Sequence, residues 1–333
     1  MHGIVLFISV PENSGMIEVT NLTKRYGRVL ALDSISFQAQ EREIIGFLGP
    51  NGAGKTTTMR ILTGYMPPSD GTARVAGFDV FEDSLEMRRH VGYLPETVRL
   101  YRDMTVRGYL TYMAQLRGVP DHRARINEVL DLVGMADRAR SLIRNLSKGM
   151  QQRVGLAQAI VHNPEVLILD EPTIGLDPHQ VQDLRALIRD LGRTRTVMLS
   201  THILSEAEQV CDRVIIIDRG RIVAENTPDQ LRDSLYRGGR LFVRVGERVI
   251  AADTLRVLNA VPGVERVEAH YDGYLVQGKG TADIRPALAA AIVGHGMELL
   301  ELRPWAVTLE EIFLELTTRL DQPIAPRKGG GHA

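Results

Sequence analysis

Short apolar runs alternate with amphipathic stretches along residues 16 to about 235 of the chain. The runs are four or five residues long, which is typical of buried strands. Segments with a helical period separate them, and this alternation predicts an α/β layered domain. The four clearest runs are residues 44–48, 166–169, 196–199 and 214–217.

The pattern changes between about residue 97 and residue 150, where a helical period replaces the short apolar runs. Four apolar residues there fall at offsets 0, +3, +4 and +7, so they line one face of a helix. We therefore predict a helical insertion within the α/β domain, and we interpret residues 122–125 as a solvated helix face. The four apolar residues are Ile126, Val129, Leu130 and Val133.

A second unit is predicted over residues 240–320. Its patterns follow the order strand, helix, strand, strand, helix, strand, with a turn at Asp272 and Gly273 between the middle strands. This order is that of a small ferredoxin-like α+β fold, which we interpret as an accessory domain. A further helix at residues 309–318 is expected to pack against it, and residues 321–333 are expected to be disordered.

The composition limits the kinds of binding partner and the cellular compartment that we expect for this chain. The 333 residues carry a net charge of −1, so no nucleic-acid partner is expected. A single cysteine, Cys211, excludes an internal disulfide framework and fits a reducing compartment. The apolar runs fall short of the roughly 20 residues of a membrane-spanning helix, so a membrane role would need a partner chain. Residues 1–15 are expected to be a disordered extension, because Met16 opens a strand-like run and is an alternative start.

A glycine-rich segment follows the first apolar run and matches the pattern G-x-x-x-x-G-K-[ST]. Its glycines allow a tight loop of backbone N–H groups around phosphate oxygens, and the next helix directs its positive end at them. Lys55 is placed to reach the β- and γ-phosphates, and Thr56 to bind Mg²⁺. The alternative is a structural glycine turn before a helix. The candidate nucleotide-binding residues are Gly49, Pro50, Asn51, Gly52, Ala53, Gly54, Lys55, Thr56 and Thr57.

Two carboxylates, Asp170 and Glu171, follow the apolar run at residues 166–169. A hard cation prefers oxygen ligands, so Asp170 is a candidate Mg²⁺ ligand. Glu171 would then face the γ-phosphate, where it could orient and deprotonate an attacking water. The alternative is an acidic turn at the end of a strand, which the nearby phosphate loop makes the weaker interpretation.

Further motifs in a fixed order make the chain resemble ATP-binding subunits of ABC transporters. Residues 146–150, Leu-Ser-Lys-Gly-Met, resemble the LSGGQ signature, and residues 170–177 resemble the segment from the Walker B motif to the D-loop. His202 follows Ser-Thr after an apolar run, as the switch histidine does. Tyr26 occupies the position of the aromatic residue that stacks on adenine, and Glu96 that of the Q-loop residue.

The resemblance implies that each ATP site is divided between two chains. Ser147 and Gly149 of one subunit would close on ATP held by Lys55 of the other, in a dimer that encloses two ATP molecules. The implied catalytic residues are Lys55, Glu171, His202 and Asp177, and the implied Mg²⁺ ligands are Thr56, Glu96 and Asp170.

The chain departs from the family pattern at two motifs. Lys148 and Met150 replace the usual glycine and glutamine of the signature, while Ser147 and Gly149 keep the hydroxyl and the helix N-terminus that bind phosphate. Glu96 replaces the usual glutamine, and an acid there can still ligate Mg²⁺ directly or through water.

The implied function is that of an ATP-hydrolysing subunit that energises a separate integral membrane permease. It would work as a homodimer or with a second ATPase subunit at the cytoplasmic face of the plasma membrane, with residues 97–104 as the docking surface. The motif variants most resemble exporters of the gliding-motility and multidrug kind.

One alternative is a soluble ABC ATPase of the ribosomal or DNA-repair kind, but the chain has one cassette and no heptads. The other is a regulator without ATPase activity, which the intact catalytic motifs argue against.

Overall fold

Two compact units make up the chain, with the division between Thr227 and Pro228. The predicted extension up to residue 14, the predicted helix at 309–318 and the predicted disordered tail lie outside the described residues. The computed structural model describes residues 15–235, 240–246, 251–279 and 283–305.

The first unit carries two sheets and the helices that cover them. Its strands are β1 (Ile17–Tyr26), β2 (Val29–Ala39), β3 (Ile44–Leu48), β4 (Asp70–Val75), β5 (Phe78–Asp79), β6 (Val91–Leu94), β7 (Val166–Asp170), β8 (Thr196–Thr201), β9 (Arg213–Asp218) and β10 (Arg221–Asn226). Its helices are α1 (Lys55–Leu62), α2 (Ser84–His90), α3 (Val106–Leu116), α4 (His122–Leu132), α5 (Lys148–Ile160), α6 (Pro178–Gly192) and α7 (Leu204–Val210).

The central sheet has the strand order β10-β9-β3-β8-β7-β6, with β10 antiparallel at one edge and the other strands parallel. The four predicted strands are confirmed as β3, β7, β8 and β9. Every residue of β3, β7 and β8 is buried, which explains why their sequences are continuous apolar runs. Because parallel strands end at the same edge, the segments that follow β3, β7 and β8 meet there although they are far apart in the sequence.

A second, antiparallel sheet of order β2-β1-β4-β5 shares a core with the central sheet. The ring centroids of Phe37, on β2, and Phe47, on β3, are 5.5 Å apart in this core. The sequence pattern indicated only the start of β1. The strand has several register shifts against β2, so buried and exposed residues do not alternate regularly along it.

The helical insertion consists of α3 and α4, and α5 follows it. The predicted apolar face of α4 is buried. The prediction that residues 122–125 form a solvated face is wrong for Arg125, whose side chain is only 13% exposed. Its guanidinium donates to the carbonyl oxygens of Ile160 and Val161, at the end of α5, where the helix leaves its own acceptors unbonded.

The second unit has the predicted ferredoxin-like order of elements. After α8 (Pro228–Leu235) come β11 (Arg240–Val245), α9 (Ala251–Asn259), β12 (Val264–His270), β13 (Gly273–Gly278), α10 (Arg285–Gly294) and β14 (Leu299–Pro304). The strands form an antiparallel sheet of order β12-β13-β11-β14, and Val243, Val276 and Leu288 belong to its separate core. Among the described residues, no helix is long and apolar enough to cross a membrane.

Candidate functional site

The loop between β3 and α1 is tightly curled. Gly54 precedes α1 with a φ of 112°, a conformation in which a side chain would be strained. A side chain at Gly49 would collide with the backbone of Ile217 on β9. The predicted strand, loop and helix are therefore present, and the first turn of α1 offers unbonded N–H groups to a phosphate. The other predicted residues of this segment are Pro50, Asn51, Gly52, Ala53, Thr56 and Thr57, which lie in the loop or the first turn of α1.

Lys55, the first residue of α1, is buried in this loop. Its Nζ donates to the carbonyl oxygens of Gly49 at 2.7 Å and Pro50 at 3.3 Å. The same Nζ lies 3.3 Å from Oε1 of Glu171, whose side chain is also buried. The phosphate loop and the acidic segment after β7, which the sequence predicted separately, are therefore in direct contact.

Glu171 lies between Lys55 and His202. Its backbone has a φ of 47°, which is costly for a residue other than glycine and fixes the turn that follows β7. Its Oε2 is 2.9 Å from Nδ1 of His202, while Oε1 faces Lys55. A buried carboxylate held in this way can accept a proton from a water molecule beside a bound phosphate.

Asp170, the last residue of β7, has the chemistry of a metal ligand. Burial raises the pKa of its carboxyl group, and hydrogen bonds from Ser200 and Thr56 act in the opposite direction. Oδ1 accepts from Oγ of Ser200 at 2.6 Å and from Oγ1 of Thr56 at 3.4 Å. Oδ2 is buried and has no hydrogen-bond partner within the described part of the chain. A buried carboxylate oxygen in this state fits a cation, because buried charges in proteins are paired or coordinate metal ions.

Mg²⁺ fits the pair formed by Thr56 and Asp170. Within residues 15–235 and the described parts of the second unit, no three Asp, Glu, His or Cys side chains form a cluster suited to a metal ion. Mg²⁺ does not require such a cluster, because it usually keeps several waters and binds one or two carboxylates together with substrate phosphates. A hydroxyl and a carboxylate are therefore sufficient protein ligands when a nucleotide supplies the others.

Glu96, the third predicted metal ligand, is exposed in the segment after β6. Its charge acts on Tyr93, the residue before the end of β6. Burial raises the pKa of Tyr93 to about 12, the negative charges of Asp170 and Glu96 add to this shift, and Arg60 opposes it. Glu96 therefore lies within electrostatic range of the residues around Asp170, although it is not one of the groups that bond to that carboxylate.

Ser147, Gly149 and Asp177 form a second cluster, at the N-termini of α5 and α6. Oγ of Ser147 accepts from the backbone N of Met150 at 3.3 Å, and Oδ1 of Asp177 accepts from the backbone N of Gln180 at 3.0 Å. A side chain at Gly149 would collide with that of Gln180, so the two helix starts are closely packed. The two hydrogen bonds cap α5 and α6, and the close approach of Gly149 to Gln180 brings the two helix starts together.

Tyr26, at the end of β1, is 44% exposed. Its hydroxyl donates to Sδ of Met66 at 3.0 Å, and Nζ of Lys24 lies 5.5 Å from the ring centroid. The ring is therefore outside the core, with surface available for stacking on a base.

Sequence reasoning missed Ser200, the residue two positions before His202. Its buried Oγ accepts from the backbone N of Glu171 at 2.9 Å and donates to Oδ1 of Asp170 at 2.6 Å. The available signal was a serine directly after the apolar run of a buried strand, because a buried hydroxyl without a partner is costly.

Curated proteins with similar sequences include subunits named for transport. A family profile described as ABC transporter matches residues 32–174. The bacitracin transport ATP-binding protein of Bacillus licheniformis is 41% identical over 91% of this chain and 97% of its own length. The daunorubicin resistance ATP-binding protein DrrA3 of Streptomyces coeruleorubidus is 34% identical over 90% of this chain and 95% of its own. The Nod factor export ATP-binding protein of Ralstonia nicotianae is 33% identical over 91% and 94%, respectively.

Solved structures of ATP-binding cassettes are similar to about two thirds of the chain. An ATP-binding subunit of an ABC transporter has a TM-score of 0.61 and 31% identity, over 66% of this chain and 93% of that one. A dimeric cassette in a post-hydrolysis state, bound to ADP and Pi, has a TM-score of 0.58 and 25% identity, over 64% of this chain and 98% of that one.

Proposed function

This chain belongs to the family of ABC transporter ATP-binding proteins, and we propose that its ATPase activity energises a separate membrane permease that exports its cargo. The observation that carries the proposal is the contact of the buried Lys55 and Glu171 side chains with each other and of Glu171 with His202, beside the phosphate loop. The relatives named for bacitracin transport and Nod factor export support coupling to transport, and the second of these names supports its outward direction.

Each residue around the phosphate loop has a defined part in hydrolysis. Lys55 and the backbone of the loop bind the β- and γ-phosphates of ATP. Glu171 takes a proton from the water that attacks the γ-phosphate, and His202 holds the Glu171 carboxylate and contacts the same phosphate. Thr56 and Asp170 hold Mg²⁺, which supplies positive charge to the phosphate oxygens when it is bound.

The second cluster completes the ATP site of a partner subunit. Ser147 and the N-terminus of α5 cap the phosphates of ATP bound to the partner's loop, and Asp177 lies beside that contact. Two copies related by a twofold axis then enclose two ATP molecules. The dimeric form of a solved cassette supports this arrangement, and Tyr26 is exposed for stacking on adenine.

The permease docks on residues 97–104, next to Glu96, and holds the protein at the cytoplasmic face of the membrane. An exposed aromatic ring in this segment supports docking: Tyr101 packs against Tyr112 with ring centroids 5.8 Å apart, and both rings reach the surface. Affinity purification from native membranes should recover one integral membrane protein, and a Tyr101→Asp variant should recover much less of it. Equal recovery would place the docking surface elsewhere.

Glu171→Gln tests the site and the dimer together. The variant should still bind ATP but hydrolyse it about 10²- to 10⁴-fold more slowly, because the general base is lost. An ATP-bound dimer should then accumulate, as measured by size-exclusion chromatography with light scattering. Glu165→Gln is the matched control, because Glu165 lies just before β7, on the surface beside His90, and should behave as the wild type. A Glu171→Gln protein that remains monomeric with ATP would contradict the two-subunit site.

A further inference from the structure

We propose that the buried carboxylate of Glu206 is a positioning residue that holds Glu171 and His202 in place for hydrolysis, a role that rests on the function proposed above for those two side chains. Glu206 lies in the first turn of α7, outside the motifs that identify the family. It is buried, and its two carboxylate oxygens bond to three different segments of the first unit.

The first connection runs from Glu206 to the turn that carries Glu171. Oγ1 of Thr173 donates to Oε2 of Glu206 at 2.6 Å. Thr173 is within the turn that Ile174 closes by donating its backbone N–H to the carbonyl oxygen of Glu171 at 3.2 Å. Hydrogen bonds to a carboxylate are about twice as strong as neutral ones, so this bond fixes the backbone directly after Glu171.

The second connection runs to the end of β8. Oγ1 of Thr201, which is fully buried, donates to the same Oε2 of Glu206 at 3.3 Å and accepts from the backbone N of Ile203 at 3.0 Å. The residues on both sides of His202 are therefore tied to each other and to Glu206. The His202 side chain is 43% exposed, so these flanking bonds help to set its position beside Glu171.

The third connection is an ion pair that offsets the negative charge of Glu206. Nη2 of Arg185, on α6, lies 3.2 Å from Oε1 of Glu206, and both side chains are largely buried. The other terminal nitrogen of Arg185 donates to Oε1 of Gln209 at 2.8 Å. Asp177 caps the N-terminus of α6, the helix that carries Arg185. Glu206 therefore connects the three segments that carry Glu171, Asp177 and His202.

Stability alone does not account for a buried charge at this position. A buried ion pair is often replaceable by apolar residues without loss of folding free energy, because desolvation offsets much of the attraction. Catalysis is more demanding, since misplacing a reacting group by about 1 Å can reduce the rate about 10²-fold. Glu206 therefore acts by fixing the relative position of two segments that no sequence-local bond connects.

Steady-state kinetics and nucleotide binding on the full chain test this role. Thr173→Val removes one hydroxyl from the network and should lower kcat by roughly 10-fold, and Glu206→Ala should lower it by roughly 10²-fold. The Kd for ATP should stay within about twofold of the wild type, because neither side chain touches the phosphate loop. Glu206→Gln keeps an acceptor for the threonine hydroxyls and should recover part of the lost kcat.

Thr63→Val is the matched control. Thr63 is 8% exposed, against 7% for Thr173. Within the described part of the chain its hydroxyl bonds only to the backbone of α1, so its loss should leave kcat unchanged. If Thr173→Val has the same kcat as Thr63→Val, the role of Glu206 is overturned. It is also overturned if the ATP affinity of Thr173→Val or Glu206→Ala falls as much as its kcat. If circular dichroism shows that Glu206→Ala does not fold, the kcat of Thr173→Val alone tests the role of Glu206.

Glu171→Gln, measured in the same series, separates the two proposals. If it hydrolyses ATP at the wild-type rate, the proposed function of Glu171 fails and the role of Glu206 fails with it. If it is inactive while Thr173→Val and Glu206→Ala match the wild type, only the role of Glu206 is overturned.

Discussion

The two units bury similar apolar side chains in their cores, but they differ in the polar groups they bury. In the first unit, buried charged and hydroxyl groups gather at and just after the carboxyl ends of β3, β7 and β8. In the described part of the second unit, Thr254 is the one polar residue that is buried. Neighbouring strands of the second unit are antiparallel and end at opposite edges, whereas the parallel strands of the first unit end at one edge. Strand direction therefore decides where a polar site can be assembled.

The polar site of the first unit carries a cost that the second unit avoids. Lys55 and Glu171 offset each other's buried charge, but one oxygen of Asp170 has no partner in the described residues. Such a group destabilises the fold by about 1–3 kcal/mol. The first unit thus retains groups whose full interactions need a ligand, while the second unit contains a conventional apolar core.

The largest expected effect concerns charge in the first unit. Lys55→Met should weaken ATP binding by about 2–5 kcal/mol, because it removes the buried cation and leaves Glu171 without its partner. Isothermal titration calorimetry measures the loss. Lys279→Met, on the surface of the second unit, should bind ATP as the wild type does. If both variants lose affinity equally, the contrast between the units is wrong.

Truncating the core of the second unit should have a comparable effect on stability and none on binding. Leu288→Ala should lower the free energy of unfolding of that unit by about 2–5 kcal/mol, because Leu288 is fully buried on α10. Denaturant unfolding measures this change, and calorimetry should give an unchanged Kd for ATP. A large rise in Kd would show that the second unit contributes to the nucleotide site.

A smaller effect should distinguish buried hydroxyls in the two units. Ser200→Ala should destabilise the first unit by about 1–3 kcal/mol, because it leaves the buried Glu171 N–H without a bond and removes the shorter of the two hydrogen bonds to Oδ1 of Asp170. Thr254→Val should cost less, since the Thr254 hydroxyl bonds, among the described residues, only to the sulfur of Met297, at 3.8 Å. Equal losses of stability in denaturant titrations would contradict the difference in hydrogen bonding.

The smallest expected effect is a pH-dependent gain in stability when Asp170 is replaced by asparagine. Burial raises the pKa of Asp170 above its usual 3.8, so the ligand-free fold keeps this proton more tightly than the unfolded chain does. The resulting stability is complete below pH 3.8 and is lost as pH rises through the raised pKa. Asp170→Asn should therefore be more stable than the wild type at pH 8, by about 1 kcal/mol, with the difference shrinking toward pH 4. Mg²⁺ with ATP should stabilise the wild type and not the variant, and thermal melts at both pH values measure both effects.

Local motifs explain how much of the site was predictable. The loop at Gly49–Thr56 and the pair Asp170–Glu171 are readable because the glycines, the lysine and the carboxylates act within a few residues of one another. The half-exposed strands of the antiparallel sheet were not readable, because register shifts interrupt the alternation along β1. Arg125 was assigned to the solvent, because a sequence does not reveal that the end of α5 supplies acceptors nearby.

The sequence by itself determined the phosphate loop, the acidic pair, the buried strands and the order of elements in the second unit, because each depends on residues close together in the chain. Only the tertiary structure decided that β8 lies between β3 and β7. That strand order brings Ser200 and His202 into contact with Glu171, and it makes Glu206 the shared partner of two separate turns. These contacts depend on pairing between strands that are distant in sequence, which hydrophobic periodicity does not encode.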